Sequence, residues 1–217
     1  MRYSNLTHPS WRLWENNEVA RQAEMRKKGR NPIALTHSDP PHYGHMNQEI
    51  SKYLVEAAEK GLHSYSAPMG ELRDAICDFE KKYRNVDYSP DNIILTGGVS
   101  GALMLIHYAV LDPGAFDEVV VINPTHYAWT PRDVVEALNG KIVFVPMIEE
   151  EGWQPDIETL QNRITERTKY ICCSVNNPTG TAYDEKTLKE IVDIAGENDV
   201  MIVSDEMYGM ITYDGVN

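Results

Sequence analysis

Residues 170–180 have the sequence YICCSVNNPTG, an apolar run that passes directly into a turn. Apolar side chains at consecutive positions, here 170–173, are typical of a β-strand that is buried on both faces of a parallel sheet. Asn-Pro followed by Thr-Gly marks a sharp turn. Comparable runs, rich in β-branched residues, occupy residues 93–95, 119–122, 142–145 and 201–203. Together the runs predict the strands of one parallel sheet.

Helix patterns lie between and before these runs. Apolar residues recur at helical spacing in residues 157–164 and 188–195, and residues 102–111 are apolar nearly all round, which predicts a buried helix. Two further amphipathic helices are predicted over residues 50–58 and 72–83. Strands that alternate with helices predict an α/β fold built from βαβ units with right-handed crossovers.

The chain has 217 residues, with 20 Lys and Arg against 33 Asp and Glu, and a formal net charge of −13. An acidic chain without a basic block is a poor candidate for binding nucleic acid or an anionic membrane. No apolar stretch approaches the ~20 residues of a membrane span, and no signal peptide is visible. Three cysteines without a CxxC pair predict neither a disulfide framework nor a zinc site. We therefore expect a cytoplasmic protein with reduced cysteines and no metal.

The N-terminal part of the sequence differs from the rest. It contains a polar, tryptophan-containing helix pattern at about residues 10–28 and a proline-rich stretch at residues 38–41. We place a domain boundary near Gly44. Residues 1–44 are thus predicted to form an N-terminal arm and part of a smaller domain, and residues 45–217 the first part of a large domain.

Ligands of open α/β sheets bind at the carboxyl ends of the strands, so the segments that follow the runs form the candidate site. Residues 96–101, TGGVSG, follow the first run and precede a helix. Glycines there let the backbone approach an anion, and the helix N-terminus offers N–H groups and a positive dipole end beside the Ser100 hydroxyl. The segment predicts a phosphate cradle, although glycines at a tight strand-to-helix turn are about as often structural.

Three other segments follow strands. Residues 123–129, NPTHYAW, carry three rings that could cover a planar ligand, although ordinary aromatic packing is favoured for this segment alone. Asn177 presents an amide that either binds a ligand or serves the turn. Asp205 ends an apolar strand, where a carboxylate needs a metal, an arginine or a protonated ring nitrogen as partner, unless it caps a new helix. A phosphorylated pyridine needs all these contacts: anion binding, stacking, a hydrogen bond to a ring oxygen and a carboxylate for the ring nitrogen.

In this order the segments resemble the fold-type I pyridoxal-phosphate enzymes, most closely the class I/II aminotransferases. The resemblance covers about residues 33–215 and is strongest at 176–180, NNPTG, and at 204–208, SDEMY. The supporting matches are Tyr65 and residues 70–73, 98–102 and 111–114. It implies the three-layer αβα large domain of these enzymes, with a mainly parallel sheet that is incomplete at the C-terminus, and pyridoxal 5′-phosphate as cofactor.

The resemblance assigns the phosphate and the ring face of the cofactor to two segments. Val99 and Ser100 hold the phosphate through backbone and hydroxyl groups. His126 occupies the position that stacks on the ring, and Tyr127 is the alternative if the alignment shifts by one residue.

The resemblance also assigns the ring edge, the neighbouring subunit and the substrate. Asn177 and Tyr208 hydrogen-bond the ring 3′-oxygen, Asp205 pairs with the pyridinium nitrogen, and the peptide bond between Asn177 and proline is often cis in the family. Tyr65 reaches the phosphate in the neighbouring subunit, which implies a homodimer. Ser38 lies where the family places a backbone that faces the substrate carboxylate.

By resemblance the protein is an aminotransferase of amino-acid metabolism and biosynthesis, which moves an amino group from an amino acid to a 2-oxo acid. The Schiff-base lysine and the substrate-binding arginine of the family have no counterpart in the 217 residues. Lys141 and Lys169 precede their strands, and Lys186 and Lys189 belong to a helix, so no catalytic residue is assigned. The resemblance thus implies an N-terminal fragment that is inactive alone.

Later strands of the family fold would also be missing from such a fragment. We expect the strand at residues 93–96 to lose its neighbours and the strand at residues 170–174 to have an exposed edge, which invites aggregation. The fragment is therefore expected to be poorly stable alone.

Other functions remain open at this stage. One is a non-catalytic module for binding pyridoxal phosphate or a partner, or one half of a split enzyme. Another is a pyridoxal-phosphate-dependent C–S lyase or decarboxylase of the same fold. A nucleotide-binding α/β domain is disfavoured because GxGxxG and a lysine in the glycine turn are both absent.

Overall fold

The structure is a computed structural model that describes residues 20–33, 49–62, 69–123, 132–174 and 177–211. The predicted site residues outside these ranges are Ser38, Tyr65, His126 and Tyr127. The proline-rich stretch and most of the predicted N-terminal helix also lie outside them. The chain divides into two compact units: Ile33–Thr96 is one, and Met1–Pro32 together with Gly97–Asn217 is the other.

Four parallel strands form the main sheet of the larger unit. In spatial order they are β2 (Lys141–Val145), β1 (Glu118–Ile122), β5 (Thr168–Ser174) and β6 (Met201–Asp205). The short strands β3 (Met147–Ile148) and β4 (Gln154–Pro155) form a separate antiparallel pair. Every residue of β1 is buried, and so is every residue of β5 except Lys169. Four of the predicted strands are thereby confirmed, and the doubly buried pattern belongs to the two inner ones.

The apolar run at residues 93–95 forms no strand. Residues 93–96 lie outside all strands, and Ile94 is 76% exposed. A strand requires a neighbour that pairs with its N–H and C=O groups. The described residues of the Ile33–Thr96 unit contain no strand with which residues 93–96 could pair. The strand predicted there is therefore wrong, because an apolar run does not by itself supply a partner.

The exposed edge of the sheet also differs from the expectation. β5 pairs with β1 on one side and with β6 on the other, in a register that runs from Tyr170 opposite Met201 to Ser174 opposite Asp205. Within the described residues, the edge strands are therefore β2 and β6. The edge expected at residues 170–174 is wrong, because β6 occupies that side.

Helices cover both faces of the sheet. Among the described residues the helices, in chain order, are α1 (residues 20–27), α2 (Glu49–Glu59), α3 (Gly70–Arg84), α4 (Val99–Val110), α5 (Arg132–Ala137), α6 (Ile157–Arg163) and α7 (Glu185–Glu197). α2 and α3 belong to the smaller unit, and the helices that pack on the sheet are α4 to α7. α4 and α5 share an apolar cluster with Tyr170 and Cys172, whereas α6 and α7 share one with Ile171 and Cys173. Successive strand residues point to opposite faces, so two helix layers enclose the sheet. The three-layer αβα fold is confirmed. In the smaller unit, α2 and α3 confirm the two predicted amphipathic helices.

We call the side of the sheet that α4 covers the α4 face; its residues include Val119, Val121, Tyr170 and Cys172. α4 itself is not buried all round, contrary to the prediction. Its buried residues are Leu103 and His107, while Met104, Leu105 and Tyr108 are exposed. A helix that packs on one side of a sheet buries only the side chains that face the sheet, and the apolar residues on its other side stay exposed.

Aspartates begin α6 and α7. Asp156 accepts hydrogen bonds from the hydroxyl and the backbone N–H of Thr159, which lower the pKa of its carboxyl group. Asp184 accepts from the backbone N–H and hydroxyl of Thr187, with the same direction of pKa change. Such caps satisfy N–H groups that the first helical turn leaves without partners, so they determine where each helix starts.

The amino edge of the sheet holds a cluster of charged residues. Glu118 is 2% exposed and accepts a hydrogen bond from the Thr165 hydroxyl at 2.6 Å. Lys141 Nζ and Arg167 Nη2 lie 3.3 Å and 3.5 Å from its Oε1. Burial alone would raise the pKa of Glu118, but the Thr165 and Lys141 hydrogen bonds and the two cationic charges outweigh it, so the pKa is lowered. Next to it, Lys169 Nζ lies 3.5 Å from Asp117 Oδ1.

Candidate functional site

The carboxyl ends of β5 and β6 place two polar side chains next to each other. Ser174 and Asp205 are register partners at the ends of their strands. Residues two apart in a strand share a face, so Ser174 lies on the same face as Tyr170 and Cys172. Val203, two residues before Asp205, packs against the same cluster. Both side chains therefore belong to the α4 face.

The N-terminus of α4 points toward this carboxyl edge. After the helix ends, only residues 111–117 separate it from the start of β1. Within that connection the backbone N–H of Asp112 donates to Asp117 Oδ2 at 2.8 Å. The C-terminal end of α4 thus lies at the amino edge of the sheet, and the helix runs antiparallel to the strands.

The length of α4 brings its first turn level with the strand ends. His107 Nε2 lies 2.5 Å from the Tyr170 hydroxyl, which fixes one level on the helix against one level on β5. From His107 back to Val99 the helix spans about 12 Å. From Tyr170 forward to Ser174 the strand spans about 13 Å. The first turn of α4 therefore reaches the edge where Ser174 and Asp205 lie.

That first turn is suited to an anion. Gly98, at the N-cap, has φ 82° and ψ 176°, a conformation that glycine adopts without strain. Glycine has no side chain that could accept hydrogen bonds from the first turn, and Val99 and Ser100 are exposed. The helix dipole adds partial positive charge at this point. Backbone N–H groups and the Ser100 hydroxyl can therefore bind a phosphate here.

Asn177 and Tyr208, distant in sequence, lie together after β5 and β6. Asn177 Nδ2 donates a hydrogen bond to the Tyr208 hydroxyl oxygen at 3.4 Å. The buried Asn123, directly after β1, donates from Nδ2 to the backbone oxygen of Asn177 at 3.2 Å. The Asn177–Pro178 peptide bond is cis, which confirms the geometry that the resemblance implies. An amide and a phenol side by side can both contact one ligand oxygen.

Asp205 supplies a buried negative charge to the same edge. It is 9% exposed, and its Oδ1 accepts a hydrogen bond from the backbone N–H of Met207 at 3.2 Å. Residues 207–210 form a turn, so Asp205 does not cap a helix. Burial, followed by the Asp205 charge, raises the pKa of the Cys172 thiol to about 12. Of these two causes, only the Asp205 charge would also favour a protonated ring nitrogen, because burial favours the neutral form of any group.

The buried Ser174 hydroxyl gives a direct test of whether a ligand fits. It has no hydrogen-bond partner within the described residues, although the side chain is only 3% exposed. Leaving such a group without a partner costs free energy, so an additional acceptor or donor would stabilise this edge. Together with the anion-binding turn, the amide–phenol pair and the carboxylate, the donor set fits the phosphorylated pyridine that the sequence predicts.

The structure describes five of the predicted site residues, listed here: Val99, Ser100, Asn177, Asp205 and Tyr208. It brings the last three to one edge of the sheet and directs the helix of the first two toward it. Sequence reasoning missed Asn123 and Ser174. Asn123 follows a strand and was inside a segment of interest, whereas Ser174 depends on the register between β5 and β6, which no sequence pattern shows.

Comparison with known proteins agrees with this architecture. Residues 30–216 match the model of the family described as aminotransferase class I and II. Since this match covers most of the chain, the chain belongs to the class I and II aminotransferase family.

Individual relatives show how much of such a protein the chain represents. It is 35% identical over 205 residues to a probable aspartate/prephenate aminotransferase of Thermus aquaticus, covering 91% of this chain and 51% of that protein. It is 34% identical over 204 residues to the Bacillus subtilis aspartate aminotransferase, covering 91% and 49%. The chain thus spans about half the length of these curated relatives.

Solved structures give the same picture. An alanine aminotransferase from Pyrococcus furiosus superposes with a TM-score of 0.86 at 38% identity, over 99% of this chain and 54% of that one. An aspartate aminotransferase from Thermus thermophilus with maleate gives a TM-score of 0.83 at 32% identity, over 99% and 56%. These solved aminotransferases therefore share the αβα fold of this chain.

Proposed function

We propose that the chain carries the pyridoxal-phosphate-holding part of an aminotransferase, which transfers an amino group from an amino acid to a 2-oxo acid. The observation that carries the proposal is the meeting of Asn177 and Tyr208 beside buried Asp205, at the edge toward which the first turn of α4 points. The aminotransferase names of the relatives support the same activity.

Each described residue has a role in this proposal. The backbone N–H groups of Val99 and Ser100, with the Ser100 hydroxyl, hold the phosphate at the positive end of the helix dipole. Asn177 and Tyr208 orient the ring through its 3′-oxygen. Asp205 accepts a hydrogen bond from the protonated ring nitrogen and keeps it protonated, since an adjacent negative charge favours the cationic form.

The residues outside the described ranges keep the roles that the resemblance implies. His126 stacks on the ring, with Tyr127 as the alternative. Tyr65 reaches the phosphate in the second subunit of a homodimer, and Ser38 faces the substrate carboxylate. We also propose a cytoplasmic location and a division of the chain at residue 44. Across the described residues, helices are all too short or too polar to cross a bilayer.

When bound, pyridoxal phosphate supplies the electron sink that stabilises negative charge on the substrate. The residues of this chain bind the group, orient its ring and fix the proton on its nitrogen. None of the roles proposed here for the described residues is a proton transfer at the substrate carbon. We therefore propose that the 217 residues alone do not complete transamination, and that the reaction requires the parts of the fold that the remaining half of the relatives represents.

Four lysines of the Gly97–Asn217 segment have positions that support the proposed lack of a catalytic lysine. Lys141 and Lys169 are bound to Glu118 and Asp117 at the amino edge of the sheet, at the opposite end from Asp205. Lys186 and Lys189 lie on α7 and pair with acidic residues of that helix, on the other face. Borohydride reduction of the chain with pyridoxal phosphate, followed by intact mass, should yield no single stoichiometric lysine adduct. A stoichiometric adduct on one lysine would overturn this part of the proposal.

A spectral titration tests the binding role itself. Pyridoxal phosphate added to the chain should give a saturable change in its visible absorbance. Asp205→Ala should abolish the change, because the ring nitrogen loses its carboxylate partner. The matched control is Glu206→Gln, which removes the charge of the exposed neighbouring residue and should leave the change intact. Absence of a saturable change in the unsubstituted chain, or its persistence in folded Asp205→Ala, would contradict the proposal.

A further inference from the structure

His107 and Tyr170 form a polar contact inside the apolar layer between α4 and β5. His107 Nε2 lies 2.5 Å from the Tyr170 hydroxyl oxygen, and both residues are 0% exposed. The surrounding cluster is apolar and includes Val119, Val121 and Cys172. Burying an imidazole and a phenol costs free energy unless they hydrogen-bond, so each group depends on the other.

This contact is a specific polar contact between α4 and the sheet, beside the apolar contacts of the same helix. The buried residues of α4 are Leu103 and His107, and Ile106 and Val110 are only partly buried. Apolar contacts are non-directional, so they resist separation of the layers more strongly than sliding along them. A hydrogen bond between two specific atoms, by contrast, fixes the position of α4 along β5.

We infer that the His107–Tyr170 pair is a positioning device for the anion-binding end of α4, an inference that rests on the proposed function. The pair lies about 12 Å along the helix from Val99, so it touches neither phosphate nor ring. It acts through α4: with the helix fixed at His107, the Ser100 hydroxyl and the first-turn N–H groups are held at the level of Ser174. Anion binding of this kind requires donors held at hydrogen-bond distance, which a sliding helix would not maintain.

His107 and Tyr170 are both uncharged, as expected for a buried hydrogen bond with a structural role. Burial lowers the pKa of His107 to about 4 and raises the pKa of Tyr170 above its ordinary value. The contact is thus a hydrogen bond between uncharged groups at neutral pH. His107 Nδ1 has no partner among the described residues, so Tyr170 provides the hydrogen bond that the buried ring makes there.

The test separates phosphate binding from ring binding. Pyridoxamine 5′-phosphate and pyridoxamine share a ring and differ by the phosphate, and neither carries an aldehyde that could react with lysines. Calorimetry measures the dissociation constant of each ligand for the chain. The constant of pyridoxamine divided by that of pyridoxamine 5′-phosphate reports how much the phosphate site contributes to affinity. Tyr170→Phe and His107→Leu should each reduce this ratio about tenfold, within the range for anions at helix N-termini, while pyridoxamine binds as before.

Two further variants serve as controls. Tyr183→Phe removes another buried tyrosine hydroxyl, one that has no partner within the described residues and belongs to the opposite face, so the ratio should not change. His107→Gln retains a side-chain amide that can hydrogen-bond Tyr170 and should preserve much of the ratio. Circular dichroism of each variant establishes that the fold is retained, and His107→Leu decides the outcome if Tyr170→Phe fails to fold.

The possible results are distinguishable. A ratio that stays unchanged in folded Tyr170→Phe and His107→Leu overturns the positioning role. Equal weakening of both ligands also overturns it, since the pair would then support only the general fold. If the unsubstituted chain binds neither ligand, the proposed function fails and the inference fails with it. If it binds both ligands equally, the phosphate site is not at α4, and the positioning role is refuted although ring binding stands.

Discussion

Replacing Glu118 by glutamine should reveal how the amino edge of the sheet is stabilised. The substituted side chain would preserve the shape of the original and an oxygen that accepts from the Thr165 hydroxyl, but it would lose the charge. A hydrogen bond to a charged acceptor is worth about 1 kcal/mol more than one to a neutral acceptor. The pairs with Lys141 and Arg167 add little, because those side chains are 67% and 59% exposed and such pairs are worth ~0.2–1 kcal/mol. The expected loss at pH 7 is about 1–2 kcal/mol.

The pH dependence of this loss has a definite sign. The pKa of Glu118 is lower in the folded chain than its ordinary value. The carboxylate therefore contributes stability above the pKa of the unfolded chain, and this contribution disappears as pH falls through the folded-state pKa. The difference between the unsubstituted chain and Glu118→Gln should be full at pH 7 and shrink steadily below about pH 4.5.

Urea unfolding followed by circular dichroism at pH 7, 5 and 3.5 measures this difference. Glu166→Gln is the matched control, since Glu166 is exposed in the same region of the chain and should give less than about 0.5 kcal/mol at every pH. A difference for Glu118→Gln that stays constant or grows on acidification would refute the assignment of a stabilising, ionised Glu118.

Three further predictions concern the core, the thiols and the anion-binding turn. Leu160→Ala should lower the free energy of unfolding by about 2–5 kcal/mol, because Leu160 is fully buried between α6 and the sheet; a loss below about 1 kcal/mol in urea unfolding would contradict the packing. In a thiol-reagent assay at pH 8, Cys77 should react first, since burial raises the pKa of Cys172 and Cys173 to about 12; rapid labelling of either buried cysteine in the folded chain would be inconsistent with this. Gly98→Val should lower the free energy of unfolding by about 1–3 kcal/mol, because the φ of 82° excludes a branched side chain. It should also weaken the binding of pyridoxamine phosphate more than that of pyridoxamine. If calorimetry gives the variant and the unsubstituted chain the same affinity for pyridoxamine phosphate, that result would argue against the phosphate cradle.

The sequence predicts strands and helices correctly where the burial of their side chains leaves a pattern in the order of apolar residues. The runs that became β1 and β5 are buried on both faces, and such strands leave a continuous apolar signal. The run at residues 93–95 carries the same signal without becoming a strand, because pairing is a tertiary property. α4 illustrates the converse limit, since its apolar composition predicted burial all round although it contacts only one face.

The candidate site was predictable to the extent that chain order and parallel topology determine it. Asn177 and Tyr208 follow neighbouring parallel strands, so the topology alone brings them to one edge. Ser174 is not predicted as a site residue, because its place beside Asp205 depends on the register between two strands. His107 appeared in the sequence only as an interruption of an apolar stretch. Its partner Tyr170 lies 63 residues away, and only the folded chain shows the hydrogen bond that joins them.

The most direct test of the central claim is a residue-resolved map of ligand binding. Amide ¹H–¹⁵N spectra of the chain, recorded during titration with pyridoxamine 5′-phosphate, should show saturable shifts at Ser100, Asn177 and Asp205. The amides of Glu118 and Arg167, at the opposite edge of the sheet, should not move. Saturable shifts confined to that opposite edge, or no saturable shift at any of the three site residues, would contradict the claim that the carboxyl edge holds the cofactor.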